Sequence, residues 1–256
     1  SLFLGILFGF ITYAQNNPEI YPYTTGAKVA PEFKVKVNGT EVQVYDSPVG
    51  AFVTFGLNGK VDLTIESTFD IKRVDIRPKS KNIAYNLENN IVKFSIDNPS
   101  NLSIEYNYNI GRPLFIFANP ISKPLTKNEA KNAIVFKAGQ IHKPGKIQVK
   151  SNQTLLIEGG AMVEGNIVVE NAENVTIKGY GIVNGGFIKS LPKDYTDKFR
   201  RLFNIYQSRN VLLEGIVSMD SHTWDVVPEL CKNLRINNIK IISGNGGDDG
   251  IDVVGS

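Results

Sequence analysis

The densest grouping of side chains able to do acid–base chemistry lies at the end of the chain, in Gly244-Asn245-Gly246-Gly247-Asp248-Asp249-Gly250-Ile251-Asp252. Three aspartates fall within five positions, among four glycines. Carboxylates in such a polar turn can activate water, donate a proton or hold a cation. The Asp-x-Asp-x-Asp-Gly spacing of a calcium loop is absent. In a regular strand Asp249 and Asp252 would point to opposite faces, and Gly250 permits a bend or bulge that changes this. Residue types alone leave two readings open, a turn between structural units and a catalytic site. The other chemistry-bearing residues are sparse. His142 and His222 lie 80 positions apart, with no spacing suited to a metal, so no metal and no cofactor is expected. Cys231 is the single cysteine; it cannot form an internal disulfide and reads as a buried small apolar residue. His222 and Trp224 are candidates for lining a sugar-binding groove, Trp224 by stacking on a ring. The plainer reading puts Trp224 at a packed corner and His222 in a surface turn. Tyr195 and Arg200 stand in a polar stretch that reads equally as a solvated loop.

The elements that must position these residues show two patterns. From about residue 31 to 118 short runs alternate apolar and polar side chains, the period of a half-buried strand. Phe33 to Val37 is followed by Asn38-Gly39, a two-residue hairpin turn because both residues tolerate positive φ. Val42 to Tyr45 resumes the alternation, and further runs begin at Ala51, Val61, Ile71, Ile91, Leu102 and Pro113. This reads as an antiparallel β-sandwich. Residues 119–132 hold two prolines and read as a linker with a short helical turn.

From about residue 133 the pattern becomes a repeat. Asn152, Asn174, Asn210 and Asn233 each open an apolar alternation, and their starts are 22, 36 and 23 residues apart. Removing roughly 13 residues from the long gap, which contains the stretch Ser190 to Arg201, restores the period. A unit of this length with several short strands is one coil of a parallel β-helix. A coil cannot bury its apolar side chains alone, but stacked coils make a continuous core. Asn at one corner would hold the turn through its side chain and its tolerance of the left-handed conformation. A leucine-rich repeat needs a Leu-x-x-Leu-x-Leu frame that is absent. Three Asn-x-Thr sequons, at Asn38, Asn152 and Asn174, coincide with these turns. Loops of successive coils would land side by side and line an extended groove, a shape suited to a polymer.

Composition is ordinary for a globular chain: 256 residues, 42% hydrophobic, with 28 basic against 25 acidic side chains. That balance, without a Lys/Arg block, argues against a nucleic-acid partner. The first 14 residues are almost wholly apolar, too short to span a bilayer and of the length of a signal-peptide core. They read as a partial signal peptide cleaved after Ala14, which implies a secreted or periplasmic protein with no membrane contact after cleavage.

The stretch from Gly139 to Ser256 resembles glycoside hydrolase family 28, the polygalacturonases, and its β-helical relatives in family 49, the dextranase and isopullulanase group. The resemblance runs through Lys150 to Ala161, Gly179 to Gly185, Asn210 to Ile216, Ser221 to Ile236 and Asp249-Gly-Ile-Asp252. The preceding sandwich, with Asp75-Ile-Arg-Pro78 and Arg112 to Pro120, is similar to the N-terminal domain of family 49. The family carries an Asn-x-Asp-Gly-(Ile/Phe)-Asp motif whose first Asp is catalytic. Asp249 occupies that place and Asp252 the second Asp, while Asn245 stands four residues before Asp249 rather than two. Asp248 replaces the usual small residue and competes with Asp249 for the role.

The resemblance implies an inverting hydrolase in which Asp249 belongs to the water-activating side. Inversion needs a second carboxyl as acid, with the pair roughly 6.5–9.5 Å apart to admit water. The family places its Asp-Asp pair about 20 residues further on, so the resemblance implies an acid beyond Ser256 and an inactive 256-residue piece. The expected architecture is all-β: 1–14 partial signal peptide, 15–118 antiparallel sandwich, 119–132 linker, 133–256 right-handed parallel β-helix, cut short at its C-terminal end. The expected function is hydrolysis of an α-linked polysaccharide by a monomer, with pectic polygalacturonan first and an α-glucan such as dextran or pullulan second. A β-helical polysaccharide lyase and a non-catalytic glycan-binding β-helix are the alternatives from other classes.

Overall fold

A computed structural model describes residues 18–187 and 201–256. The apolar leader and most of the polar stretch with Tyr195 and Arg200 lie outside the described residues. Ten strands come first: β1 (Phe33–Val37), β2 (Thr40–Val42), β3 (Tyr45–Ser47), β4 (Gly50–Leu57), β5 (Val61–Ser67), β6 (Val74–Arg77), β7 (Tyr85–Glu88), β8 (Ile91–Ile96), β9 (Ser100–Tyr106) and β10 (Asn109–Pro120). They form two five-stranded sheets, β2-β1-β5-β8-β7 and β3-β4-β10-β9-β6. The alternation does what the pattern requires. Val35, Val37, Leu63, Ile65 and Val92 of one sheet meet Val53, Phe55, Ile104 and Ile116 of the other in one buried core. Asn38 and Gly39 take φ values of 46° and 80°, the positive pair that closes a tight hairpin.

Three features depart from the expected sandwich. The β4–β10 pair is parallel, Ala51 to Leu57 alongside Leu114 to Pro120, whereas an antiparallel sheet was expected. Alternation fixes which face a residue occupies and carries no information about its neighbour. The run Val42 to Tyr45 is not one strand: β2 ends at Val42 and β3 begins at Tyr45 in the other sheet. Strand β7 was not anticipated, because it is mostly exposed and its alternation, Tyr85-Asn86-Leu87-Glu88, is only four residues long.

A single helical turn, α1 (Lys127–Ala130), punctuates the linker. Thr126 and Glu129 cap it reciprocally: the Thr126 hydroxyl accepts from the Glu129 N–H at 3.3 Å, and the Glu129 carboxylate accepts from the Thr126 N–H at 2.7 Å. Glu129 also binds Lys178 at 2.5 Å, which ties the linker to the second half of the molecule.

Twelve further strands follow: β11 (Ala133–Phe136), β12 (Ile141–Gln148), β13 (Thr154–Ile157), β14 (Met162–Glu170), β15 (Glu173–Gly179), β16 (Ile182–Asn184), β17 (Phe203–Tyr206), β18 (Arg209–Glu214), β19 (Val217–Met219), β20 (Val226–Glu229), β21 (Lys232–Asn237) and β22 (Lys240–Ile242). All their pairings are parallel, each with a strand about one repeat away, so the second half is a parallel β-helix. One face stacks β11-β13-β15-β18-β21. The long strand β14 serves the other two faces, its first half pairing with β16 and its second half with β17. Inward side chains stack in columns such as Ile134, Leu155, Ile177, Leu213 and Ile236. Each fully buried Leu or Ile stabilises the fold by roughly 1.5–3 kcal/mol.

The four asparagines that mark the repeat form a ladder at one corner. All are left-handed, with φ of 61°, 57°, 55° and 54° at Asn152, Asn174, Asn210 and Asn233. The amide of Asn174 donates to the side-chain oxygen of Asn152 at 3.1 Å, Asn210 to Asn174 at 3.0 Å, and Asn233 to Asn210 at 3.1 Å. Asn174→Ala removes two of these bonds, each worth about 1 kcal/mol, and leaves in the left-handed conformation a residue without the polar side chain that lets Asn tolerate it, at a cost of up to about 1–2 kcal/mol. We expect a loss of about 2 kcal/mol or more by denaturant unfolding, about half of it recovered by Asn174→Gly, which accepts the conformation but not the bonds. Equal stability of the Ala variant and the parent would mean that the ladder holds nothing.

The sandwich docks against one face of the β-helix. Tyr45, Phe52 and Phe117 meet Met162, Ile182, Val217 and Ile242 in a separate apolar cluster. This explains why β4 is buried at every position: Phe55 faces the sandwich core and Phe52 the β-helix. Lys240 crosses the same junction, donating to the Asn119 side-chain oxygen at 2.5 Å and to the Gly215 carbonyl at 3.0 Å. Its burial pulls the ammonium down to about 7. Among the described residues no helix is long and apolar enough to cross a membrane.

Candidate active-site cleft

A cleft of about 670 Å³ opens where the sandwich meets the β-helix. One wall is Lys28, Asp46, Ser47 and Pro48; the other is the outward face of the stacked strands, with Glu164, Asn184 and Asp220 among its polar groups. Register places these polar groups. Glu164 of β14 lies beside Asn184 of β16, and Asn184 beside Met219 of β19, so Asp220 follows directly at the strand end. Asp220 is left-handed, with φ of 54°. Gly185 and Gly186 let it approach: a β-carbon at Gly186 would lie 2.7 Å from the Asp220 carboxylate, and one at Gly185 would lie 2.8 Å from the Asp220 carbonyl oxygen. Two carboxylates of the cleft are already paired, Glu164 with Lys143 at 3.0 Å and Asp46 with Arg112 at 2.7 Å.

The aspartate-rich turn continues from this wall. Asn245 joins the two, its amide donating to the Asp220 carboxylate at 3.3 Å and to the Ser221 carbonyl. Its backbone N–H donates to Asp248 at 3.2 Å, and the Ser243 hydroxyl donates to the same Asp248 oxygen. Gly244 lies against Pro48 of the sandwich, where a β-carbon would come within 2.7 Å. Asp248, Asp249 and Asp252 therefore differ sharply. Asp248 is partly buried with its oxygens engaged or enclosed. Asp249 is exposed, and its side chain makes no hydrogen bond or ion pair among the described residues. Asp252 is partly exposed and begins the next coil, its N–H bonded to the Val226 carbonyl at 2.9 Å. The bend allowed by Gly250 is present: Asp248 to Gly250 lie outside any strand, yet their backbone already stacks on the coil before.

Ser221 to Trp224 forms the turn beneath. The Ser221 hydroxyl donates to the Trp224 carbonyl at 3.2 Å. The Arg201 guanidinium lies over the Trp224 ring, 5.0 Å from its centroid, so one face of the indole is covered. His222 is partly exposed in the same turn. The acidic turn is thus brought beside Asp220 and Trp224's turn, while Tyr195 and Arg200 lie outside the described residues. Among the described residues no group of three or more His, Cys, Asp or Glu is placed to hold a metal.

Sequence reasoning missed Asp225. It is wholly buried, at 0% exposure, between Phe203 of the coil below and the acidic turn of the coil above. Its carbonyl accepts from the Phe203 N–H at 2.9 Å, and its N–H donates to the Asp249 carbonyl at 2.9 Å. Burial first, then the nearby Asp248 charge, push its acid up to about 7, against a Ser218 hydroxyl bond that works the other way. Flanked by Trp224 and two valines, it reads as the interior of an apolar strand. The usable signal was spacing: Asp225 to Asp248 is 23 residues, the same as Asn210 to Asn233, which is one coil.

By sequence, no family model and no curated protein matches the chain. Among solved structures the fold is similar to Dex49A from Penicillium minioluteum, with a TM-score of 0.50 and 17% identity over 93% of this chain and 60% of that one. A structure from Parabacteroides merdae ATCC 43184, named a "putative glycosyl hydrolase", matches with a TM-score of 0.41 and 20% identity over 50% of this chain and 67% of that one. The likeness to Dex49A is one of fold, an all-β chain with a parallel β-helix, and this chain spans 60% of the Dex49A length.

Proposed function

We propose that this chain belongs to a glycoside hydrolase that cuts an α-linked polysaccharide, with Asp249 as the carboxylate that activates water. The observation that carries the reading is the joining of an open cleft to an acidic turn: Asp220 lines the cleft, and Asn245 bonds both Asp220 and Asp248. Of the turn's carboxylates, Asp249 alone is exposed and unengaged among the described residues, which suits a group that must meet water and sugar. Inverting hydrolysis pairs such a base with a carboxylic acid on the opposite face of the sugar.

The lining favours an uncharged sugar. With Asp46 and Glu164 paired to Arg112 and Lys143, the charges of its lining that remain are Asp220 and Lys28, and among the described residues no arginine lines the cleft to take a uronate. Repeated carboxylates of polygalacturonan would meet the Asp220 charge with Lys28 as the one cation among the described lining residues, a poor match for a run of uronates. A neutral α-glucan meets only hydrogen-bonding groups.

The test is reducing-end release by the protein expressed from its complete gene, on dextran, pullulan and polygalacturonate, with the anomer of the first product read by NMR. We expect inverted product and turnover of a neutral glucan faster than polygalacturonate by about tenfold or more. Faster cleavage of polygalacturonate would overturn the substrate assignment. Binding of glycan without any cleavage would replace the hydrolase with a glycan-binding β-helix, and an unsaturated product would replace it with a lyase.

A further inference from the structure

One hairpin of the sandwich is built against the preference of its backbone. Tyr106 and Asn109 pair across a two-residue turn, Asn107-Tyr108, and both turn residues are left-handed, with φ of 53° and 64°. The turn between β1 and β2 has the same form and holds Asn38-Gly39, the residues such a turn favours. A bulky side chain at positive φ is an outlier. Burial does not offset the strain, because Tyr108 is 75% exposed. The ring is nonetheless held in place. The Arg73 guanidinium lies over it, 4.5 Å from the centroid, and donates to the phenol oxygen at 3.1 Å. Asp75 in turn accepts from Arg73 at 2.9 Å. A strained residue that presents an oriented ring to solvent points to a role outside the fold.

The neighbours of Tyr108, Asn107 and Asn109, line a pocket of about 320 Å³ together with the ring of Phe69. Phe69 meets Phe33 and Tyr106 edge to face, at 5.6 and 5.8 Å between centroids, and stays 36% exposed. Asn107 ties the turn to the segment that follows Phe69. Its side-chain oxygen accepts from the Lys72 N–H at 2.8 Å, and its amide donates to the Asp70 carbonyl at 2.7 Å. The charged residues of the pocket lining, Glu32 and Arg112, pair with each other at 2.8 Å. Aromatic rings, amides and compensated charge suit a neutral sugar. The pocket also shares a wall with the cleft. Arg112 reaches Asp46 at 2.7 Å and the Ser47 carbonyl at 3.4 Å, and both of those residues line the cleft. We propose that Tyr108 and Phe69 form a distal sugar-binding platform on the sandwich, which holds the same neutral polysaccharide chain that the cleft receives. The identity of the ligand rests on the proposed hydrolase function; binding at the platform does not require cleavage.

Electrophoresis of the protein from its complete gene through gels containing dextran or pullulan reads binding directly, with Asp249→Asn as the background so that cleavage does not erode the gel. We expect Tyr108→Ala and Phe69→Ala each to weaken retardation by about tenfold. With Asp249 restored, Tyr108→Ala should raise KM for the polymer and leave kcat unchanged, since the platform is remote from the reacting atoms. Tyr108→Gly keeps the test clear of folding. Glycine suits the turn, so this variant should bind as weakly as Tyr108→Ala while melting at about the parental temperature. Retardation unchanged in both alanine variants would overturn the proposal, as would a parent that neither polymer retards. A Tyr108→Gly variant that melts well below the parent with its retardation intact would make the ring a structural prop. Parent dimers in sedimentation that Tyr108→Ala abolishes, with glycan retardation unchanged, would assign the patch to a second copy of the chain instead. Retardation lost in the variants of a protein that never cleaves would reject the hydrolase and leave the platform standing. Cleavage with retardation insensitive to either ring would do the reverse.

Discussion

On the proposed function, Asp249→Asn is expected to lower polysaccharide hydrolysis by about 10²-fold or more, because a positioned base contributes roughly 10²–10⁴ to the rate. The loss falls on kcat, with KM little changed, since water activation is felt in the transition state rather than in binding. The fold should not change, because the Asp249 side chain makes no bond among the described residues. Asp248→Asn behaves differently. It replaces an oxygen that accepts from Ser243 and Asn245, so it should lower the melting temperature as well as the rate. The pair of variants separates the two aspartates that the sequence left in competition. If Asp248→Asn abolishes turnover at unchanged stability while Asp249→Asn remains active, the roles are the reverse of those proposed.

Phe203→Ala should destabilise the β-helix more than either of these aspartate variants or Asn174→Ala. Phe203 is 1% exposed and fills the coil core between Ile167 below and Val226 above. Truncating a buried Phe costs about 3–5 kcal/mol, the lost transfer energy plus a cavity that stacked coils cannot easily close. Whole domains are stable by only about 5–15 kcal/mol, so one such loss is a large part of the total. Its N–H also bonds the Asp225 carbonyl, so the coil that bears the buried acid loosens with it. Denaturant unfolding of Phe203→Ala beside Phe203→Leu would measure the effect. A cost below about 1 kcal/mol for the Ala variant would show that this corner is not packed as the structure has it.

Most of the architecture could be read from residue types because two physical signals are local. Alternation along β1, β5 and β8 reports one wet and one dry face, which a strand shows wherever it is placed. Asparagine at a repeated corner reports a left-handed turn, and the ladder from Asn152 to Asn233 shows the same residue doing this in four coils. Pairing is not local. Nothing in β4 or β10 announces that they lie side by side in the same direction, because the contact joins positions some sixty residues apart across another sheet. The site divides in the same way. Asp248, Asp249 and Asp252 stand out as a cluster in one stretch of chain, whereas Asp220 and Asp225 join them only through the stacking of coils. Asp220 follows a buried strand and Asp225 precedes one, so neither reads as polar surface.

The long coil that starts at Asn174 has a consequence for divergence. Its start lies 36 residues before the next, against 22 and 23 for its neighbours, and the surplus enters between Asn184 and Phe203. Register is undisturbed on both sides, Glu164-Asn184-Met219 on one and Ile167-Phe203-Val226 on the other. The screw keeps its pitch whatever length is grafted at that corner. Closing a longer loop is cheap, about 0.6 kcal/mol for each doubling. Descendants of such a chain can therefore exchange segments at a corner and acquire new preferences for what they hold, while the threaded interior passes unaltered from one to the next.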